Sequence, residues 1–311
     1  MSKYRNNLPQ LSEKNFLTDG GLETTLVFHK GFDLPEFAAF YLLKDSVGVA
    51  ELKQYFRTYA SIAKKYGTGF ILESATWRAN PDWGEILGYS TEELDQANRQ
   101  AIEILEEIRH EFEHDKTKMV ISGCIGPRGD GYIPNNAMTA EEAEKYHLRQ
   151  INTFSQTNAD LVTAITMNYA EEAIGIAKAA KSLNMPVAIS FTVETDGKLP
   201  TGQTLKDAIE TVDRSTDNYS AYFMINCAHP THFEHVLDDG EWVKRIRGLR
   251  ANSSSKSHEE LNESTTLDEG NPAELGKQHH SLLSKLPKVN IFGGCCGTDE
   301  RHVEEICKAV V

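Results

Sequence analysis

The sequence predicts an α/β fold built from eight strand–helix units, and three observations predict it. Eight short runs recur along the chain, most of them continuously apolar, and such runs suit parallel strands covered on both faces. Amphipathic stretches separate them, so strand and helix alternate. No Pro-, Gly- or Ser-rich linker divides the 311 residues, a length at which α/β barrels commonly form one domain. Eight units in order favour a single (β/α)8 TIM barrel, one domain over residues 1–311, above an open doubly wound sheet. A barrel also locates the chemistry at the C-terminal ends of its strands.

The first strand is expected at 16–18, after a polar stretch that lacks a signal peptide's apolar centre. Asp19-Gly20-Gly21 follows it, then a helix near 51–66. Strand two, 70–72, leads through a long loop (77–90) to a helix over 91–112, with Leu94, Ile102, Leu105 and Ile108 at helical spacing. Strand three, 119–122, precedes a helix over 139–154. Its Thr-Ala-Glu-Glu opening is a capping box, in which side-chain oxygens satisfy free amides. Strands four to eight fall at 161–166, 187–191, 222–226, 246–250 and 289–292. Helical patterns at 170–183, 205–216, 231–237, 273–286 and 299–310 accompany them. The Ser-, Glu- and Asn-rich stretch 252–271 reads as a mobile lid or a solvated excursion.

Charge narrows the partners. With 32 basic against 46 acidic side chains and a net charge of −14, the chain lacks the basic clusters that bind nucleic acid or anionic membranes. No segment approaches the roughly 20 apolar residues of a membrane span. Five cysteines in a long chain without a signal peptide argue against a disulfide framework and for the cytoplasm. Small molecules are the expected partners, and self-association into a homo-oligomer stays open.

The strongest chemical signal is Gly293-Gly294-Cys295-Cys296-Gly297-Thr298, placed just after strand eight. Adjacent strand residues point to opposite faces, so both sulfurs serve one site only if the chain turns there. Cys227 ends strand six. In a closed barrel strands six and eight lie about 10 Å apart, and three thiolates with an open fourth position suit a catalytic zinc ion. Small buried hydrophobes or a redox pair are the alternatives. Cys124 ends strand three and Cys307 lies on the last helix, where packing explains it.

Together, Asp19-Gly20-Gly21, Gly126-Pro127, Asn226-Cys227 and Gly-Gly-Cys-Cys-Gly-Thr resemble the homocysteine S-methyltransferase family over nearly the whole chain. The resemblance implies a zinc-dependent barrel enzyme with Zn2+ held by Cys227, Cys295 and Cys296. It also implies an acceptor amino acid bound near Asp19, Gly20, Gly21, Thr76 and Asn226. Homocysteine would accept a methyl group and become methionine. The length leaves no room for a cobalamin or folate module, so a small onium donor is expected: S-methylmethionine, S-adenosylmethionine or a betaine. Another thiol or selenol acceptor, or a non-catalytic zinc- or redox-responsive protein, are the alternatives.

The family commonly ends strand four with Glu-Thr, whose Glu contacts the substrate amino group, but Ile165 stands there. Strand two ends Glu73-Ser74-Ala75-Thr76-Trp77 in place of the usual Thr-Asn-Thr-Tyr, which offers Glu73 for the ammonium; Glu194 is the other candidate. Trp77, Trp83 and Tyr132 sit in top loops where aromatic faces attract onium cations. Arg78 and Arg128 lie there too and suit a carboxylate. His229, His232 and His235 read as partly exposed helix residues, and His279-His280 as surface.

Overall fold

The computed structural model describes residues 2–134 and 137–311. Eight parallel strands close into a barrel in sequence order. They are β1 (Phe16–Leu17), β2 (Gly69–Glu73), β3 (Met119–Ile125), β4 (Leu161–Met167), β5 (Val187–Phe191), β6 (Tyr222–Asn226), β7 (Ile246–Ala251) and β8 (Ile291–Gly294). The ring shuts where Phe16 of β1 aligns with Gly69 on one side and Ile291 on the other. All eight expected strands are present; β3 runs three residues beyond its expected end at 122, to Ile125, and β8 is displaced by two residues from the expected 289–292. Gly293 and Gly294 lie inside it, in register with Arg250 and Ala251, because glycine lets β8 press against Thr18 and Thr298.

Helices form the outer layer, and their starts follow local chemistry. Thr139 and Glu142 complete the expected capping box of Ala140–Ser155; Ser90 and Glu93 form another at Thr91–Phe112. The helix Ser46–Tyr66 begins with the Asp45 carboxylate accepting from Val47 and Gly48 amides and ends on Gly67, at φ 70°. The expected helix over 231–237 is instead one α-turn, Pro230–Phe233, and one 3-10 turn, Glu234–Val236. Loop 77–90 contains a short helix, Pro81–Ile86. Among the described residues no helix is long and apolar enough to cross a membrane.

One apolar cluster joins the helices to the outside of the barrel, and a second, including Phe16, Ile71, Val120, Leu161 and Met224, joins the N-terminal Leu8. The polar N-terminal stretch is tied down at that end. Arg5 donates to the carbonyls of Ser155, Thr157 and Ala159, while Asn290 Nδ2 donates to those of Gln10, Ser12 and Lys14. With that end sealed, the opposite end is left for ligands.

Three histidine expectations are corrected by packing. His229 and His232 are buried: the broken helix turns His232 toward the 252–271 segment, where its Nε2 donates to the Ser255 carbonyl, and the His229 ring packs edge-on against the His232 ring. His279 is fully buried. It shares one face of Pro272–Leu282 with Leu275 and Leu282, against Phe292 of β8. His235 and His280 are exposed, as expected.

Candidate active site

A cavity of about 420 Å³ lies at the C-terminal ends of the strands. Its wall includes Cys227, Cys295 and Cys296, and their sulfurs lie within 4.8 Å of one another. Cys227 Sγ is 3.2 Å from Cys295 Sγ and 3.4 Å from Cys296 Sγ. Two sulfurs about 2.3 Å from one tetrahedral ion would stand roughly 3.8 Å apart, so a few tenths of an ångström of spreading would admit zinc. The donor set and its spacing fit the metal.

The backbone is bent to make this convergence. Cys227 sits at φ 54°, a left-handed conformation unusual for a side chain with a Cβ, and its amide donates to the Arg250 carbonyl. After β8, the turn through Cys295 and Cys296 reaches Gly297 at φ 77°, where glycine carries no steric penalty. Thr298 holds the turn, its amide and hydroxyl both donating to the Cys295 carbonyl. Gly21 approaches so closely that a Cβ there would lie 2.5 Å from that carbonyl oxygen. Without metal, hydrogen bonds from Cys227 and Cys296 push the Cys295 thiol well below its ordinary pKa, while Cys227 is driven up by the same contact.

Asp19 and Arg250 form a buried pair that also lines the cavity. Arg250 Nη2 donates to Asp19 Oδ1 at 2.6 Å, and its Nε donates to the Gly294 carbonyl at 3.1 Å. The Tyr55 hydroxyl lies 3.0 Å from Asp19 Oδ2. Burial pushes Asp19 upward although Arg250 opposes it. Burial also acts to lower Arg250, but Asp19 and Glu73 outweigh it and hold the guanidinium above its usual range. Sequence reasoning missed Arg250; its one signal was a charge on the last expected residue of a buried strand.

Glu73 closes β2, is 5% exposed and lines the cavity, with Oε2 lacking a hydrogen-bond partner. Burial pushes its pKa up to about 7, against the pull of Arg250. Glu23, also overlooked, lines the cavity beyond Gly21 and is likewise raised by burial to about 7. Ile165 contributes an apolar patch.

Gly20, Gly21, Trp77, Arg78, Cys124 and Tyr132 also line the cavity, and the Tyr132 hydroxyl lies 2.8 Å from Cys227 Sγ. Thr76 and Asn226 sit behind the wall. Thr76 donates to the Cys124 carbonyl. The Asn226 amide group ties β4 to β6: Oδ1 accepts from the Thr166 amide and Ser190 hydroxyl, and Nδ2 donates to Thr166 Oγ1. Glu194 stands outside, against His258 Nδ1. Arg128 pairs with Asp82 at the surface, and Trp83 contributes through Arg78.

The 252–271 segment forms a wall of the cavity. The Ser253 amide donates to the Cys296 carbonyl, Ser254 Oγ to Asp268, and His258 Nε2 to the Cys227 carbonyl. Two of the three cysteine backbones are thereby gripped by one loop.

Three cysteine sulfurs gathered at the C-terminal mouth of a parallel barrel, on the wall of its cavity, stand where barrel enzymes carry their chemistry. Comparison supplies the family. The homocysteine S-methyltransferase family model matches residues 16–310, and the chain belongs to that family of methyltransferases. It is 22% identical over 270 residues to homocysteine S-methyltransferase 2 of Arabidopsis thaliana, covering 78% of each chain. It is 24% identical over 269 residues to selenocysteine Se-methyltransferase of Brassica oleracea var. italica, covering 78% of this chain and 75% of that one. Crystal structures of the homocysteine methyltransferase MmuM from Escherichia coli share the fold. The oxidised form gives a TM-score of 0.73 at 16% identity, covering 98% of this chain and 99% of that one. The metallated form gives 0.73 at 16%, covering 97% and 98%.

Proposed function

We propose that this protein is a zinc-dependent S-methyltransferase that moves a methyl group from a small onium donor to the thiol of homocysteine, forming methionine. The observation that carries this reading is the convergence of Cys227, Cys295 and Cys296 at the cavity wall. Zinc held there would supply the Lewis acidity that keeps an acceptor thiol, ordinarily near 8.5, deprotonated at neutral pH. The three cysteine thiolates keep the site electron-rich, and the chain around Gly20 and Gly21 borders the space for the acceptor. Trp77 and Tyr132 offer aromatic faces to the cation of S-methylmethionine, S-adenosylmethionine or a betaine, worth about 0.5–2 kcal/mol. Trp77→Leu should weaken a sulfonium more than its uncharged thioether in binding titrations; equal losses would reduce Trp77 to packing. Five unpaired cysteines suit the cytoplasm.

Glu73 takes the acceptor's ammonium in this reading, replacing the carboxylate lost at Ile165. Its unpartnered Oε2 is an acceptor waiting for a donor. As pH rises through about 7 the carboxylate forms, so the KM for homocysteine should fall across that range. Glu73→Gln should flatten the profile and raise KM about 10–100-fold, the scale of a charge-assisted hydrogen bond. The same variant should gain stability at pH 8. Between its ordinary 4.5 and about 7, Glu73 keeps in the folded state a proton that the unfolded chain has lost. Stability therefore falls as pH rises through that window, by about 3 kcal/mol in all. An unchanged KM profile would remove Glu73 from substrate binding.

Ile165 favours a second reading, transfer to another thiol or selenol. Zinc-loaded protein, incubated with each donor and with homocysteine, cysteine or selenocysteine, separates the two when methylated products are quantified by mass spectrometry. Methionine as the main product supports the first reading, and exclusive methylation of another acceptor supports the second. Full zinc loading without turnover would leave a non-catalytic zinc protein.

A further inference from the structure

We infer that Arg78 is a carboxylate-binding residue, and that the ligand entering this cavity presents a carboxylate to its guanidinium. The chain's other buried guanidinium in this region, that of Arg250, is committed to Asp19 and Gly294, and Arg128 is committed to Asp82. Arg78 lines the cavity yet donates no hydrogen bond among the described residues; its Nε and Nη1 are both buried and unpartnered. Desolvating a cation without hydrogen bonds is costly; ring stacking and the charges of Asp130 and Glu23 offset part of that cost, but none of them supplies a hydrogen bond among the described residues.

The neighbours hold Arg78 in place without satisfying it. Its guanidinium carbon stacks 4.6 Å from the Trp77 ring centroid and 3.9 Å from that of Trp83. Stacking occupies guanidinium faces and leaves the in-plane N–H edge, the edge that matches a carboxylate. Two nearby acids are poor partners. Asp130 Oδ1 accepts from its own loop's amides, at Tyr132 and Ile133. Glu23, raised by burial to about 7, is partly protonated near neutrality. A place in the cavity lining, unmade hydrogen bonds and fixed orientation therefore coincide in one cation.

The choice of an amino-acid ligand rests on the proposed methyl transfer, whereas carboxylate binding does not. Trp77 and Trp83 make tryptophan fluorescence a direct reporter, independent of turnover. Two probe pairs locate the carboxylate: methionine against methioninamide for the acceptor side, and glycine betaine against choline for the donor side. In one pair the wild type should bind the carboxylate form about tenfold or more tighter, as expected for a charge-assisted pair. Arg78→Met should abolish that preference. Arg78→Lys, which keeps the charge but loses the fork, should retain part of it and serves if the Met variant misfolds. An undiminished preference in folded Arg78→Met, or no preference in either pair for the wild type, overturns the inference. Arg78-dependent preference without any methyl transfer would sink the functional reading alone; methyl transfer without the preference would sink this one alone.

Discussion

Cys227→Ala should lose zinc and methyl transfer together, with activity falling about a thousandfold or more and bound metal falling from about one ion per chain to none. Three sulfurs meet at one point in this fold, and among the described residues no histidine joins that cluster. His229 and His232 follow Cys227 closely, but the first turns to Thr231 and the second to Ser255. Cys124→Ser is the matched control: Cys124 lines the same cavity but stands outside the sulfur cluster, so its zinc content should be unchanged. Metal analysis on protein purified without chelator, beside initial rates, makes the comparison. Zinc and turnover retained in Cys227→Ala would end the metal-site assignment.

The barrel was legible because each strand is a local signal. Parallel strands covered on both faces must be apolar along their length, and runs such as 187–191 and 222–226 match the observed strands end to end. The capping box at Thr139 is equally local: four residues suffice to satisfy the free amides. Features set by distant contacts were not legible. Leu275 and Leu282 mark the face of the helix that carries His279, but its packing against Phe292 is a long-range contact, and nothing in the polar first residues reveals that they seal the barrel's end.

The site divides in the same way. The cysteines were visible because glycines flank two of them and a strand end positions the third, so residue type and location pointed to one chemistry. Arg250 and Glu23 were hidden because a charged residue near an apolar run usually marks a strand's exposed end. Only barrel closure shows that Arg250, 231 positions beyond Asp19, is that acid's partner. The departures from the family pattern were read in sequence, but their geometry was not. Ile165, Glu73 and Arg78 border one cavity, so the departure at strand four and the unpartnered groups share a single wall.

Arg250→Met should cost about 3–5 kcal/mol of folding stability, the penalty for leaving one member of a buried pair behind. The Asp19 carboxylate would keep Tyr55 but lose the Arg250 cation paired with it, and Glu73 would lose the charge that restrains its upward shift. Both acids would then hold their protons to higher pH in the folded state than in the unfolded one. The sign follows: the folded chain binds more protons, so the stability deficit should widen as pH rises from about 5 to 8. Asp19→Asn in the same chain removes the stranded charge and should recover much of the loss, giving a coupling energy in a double-mutant cycle. Arg250→Lys should recover less, since a single ammonium cannot hold Asp19 Oδ1 and the Gly294 carbonyl in one fixed fork. Urea unfolding of the four chains of the cycle, the wild type among them, at two pH values measures these terms. Additive losses in the cycle would mean that the pair contributes through packing alone. A strong coupling would identify Arg250 as the cation that lets the Asp19-Gly20-Gly21 turn and the cysteine turn share one buried anchor.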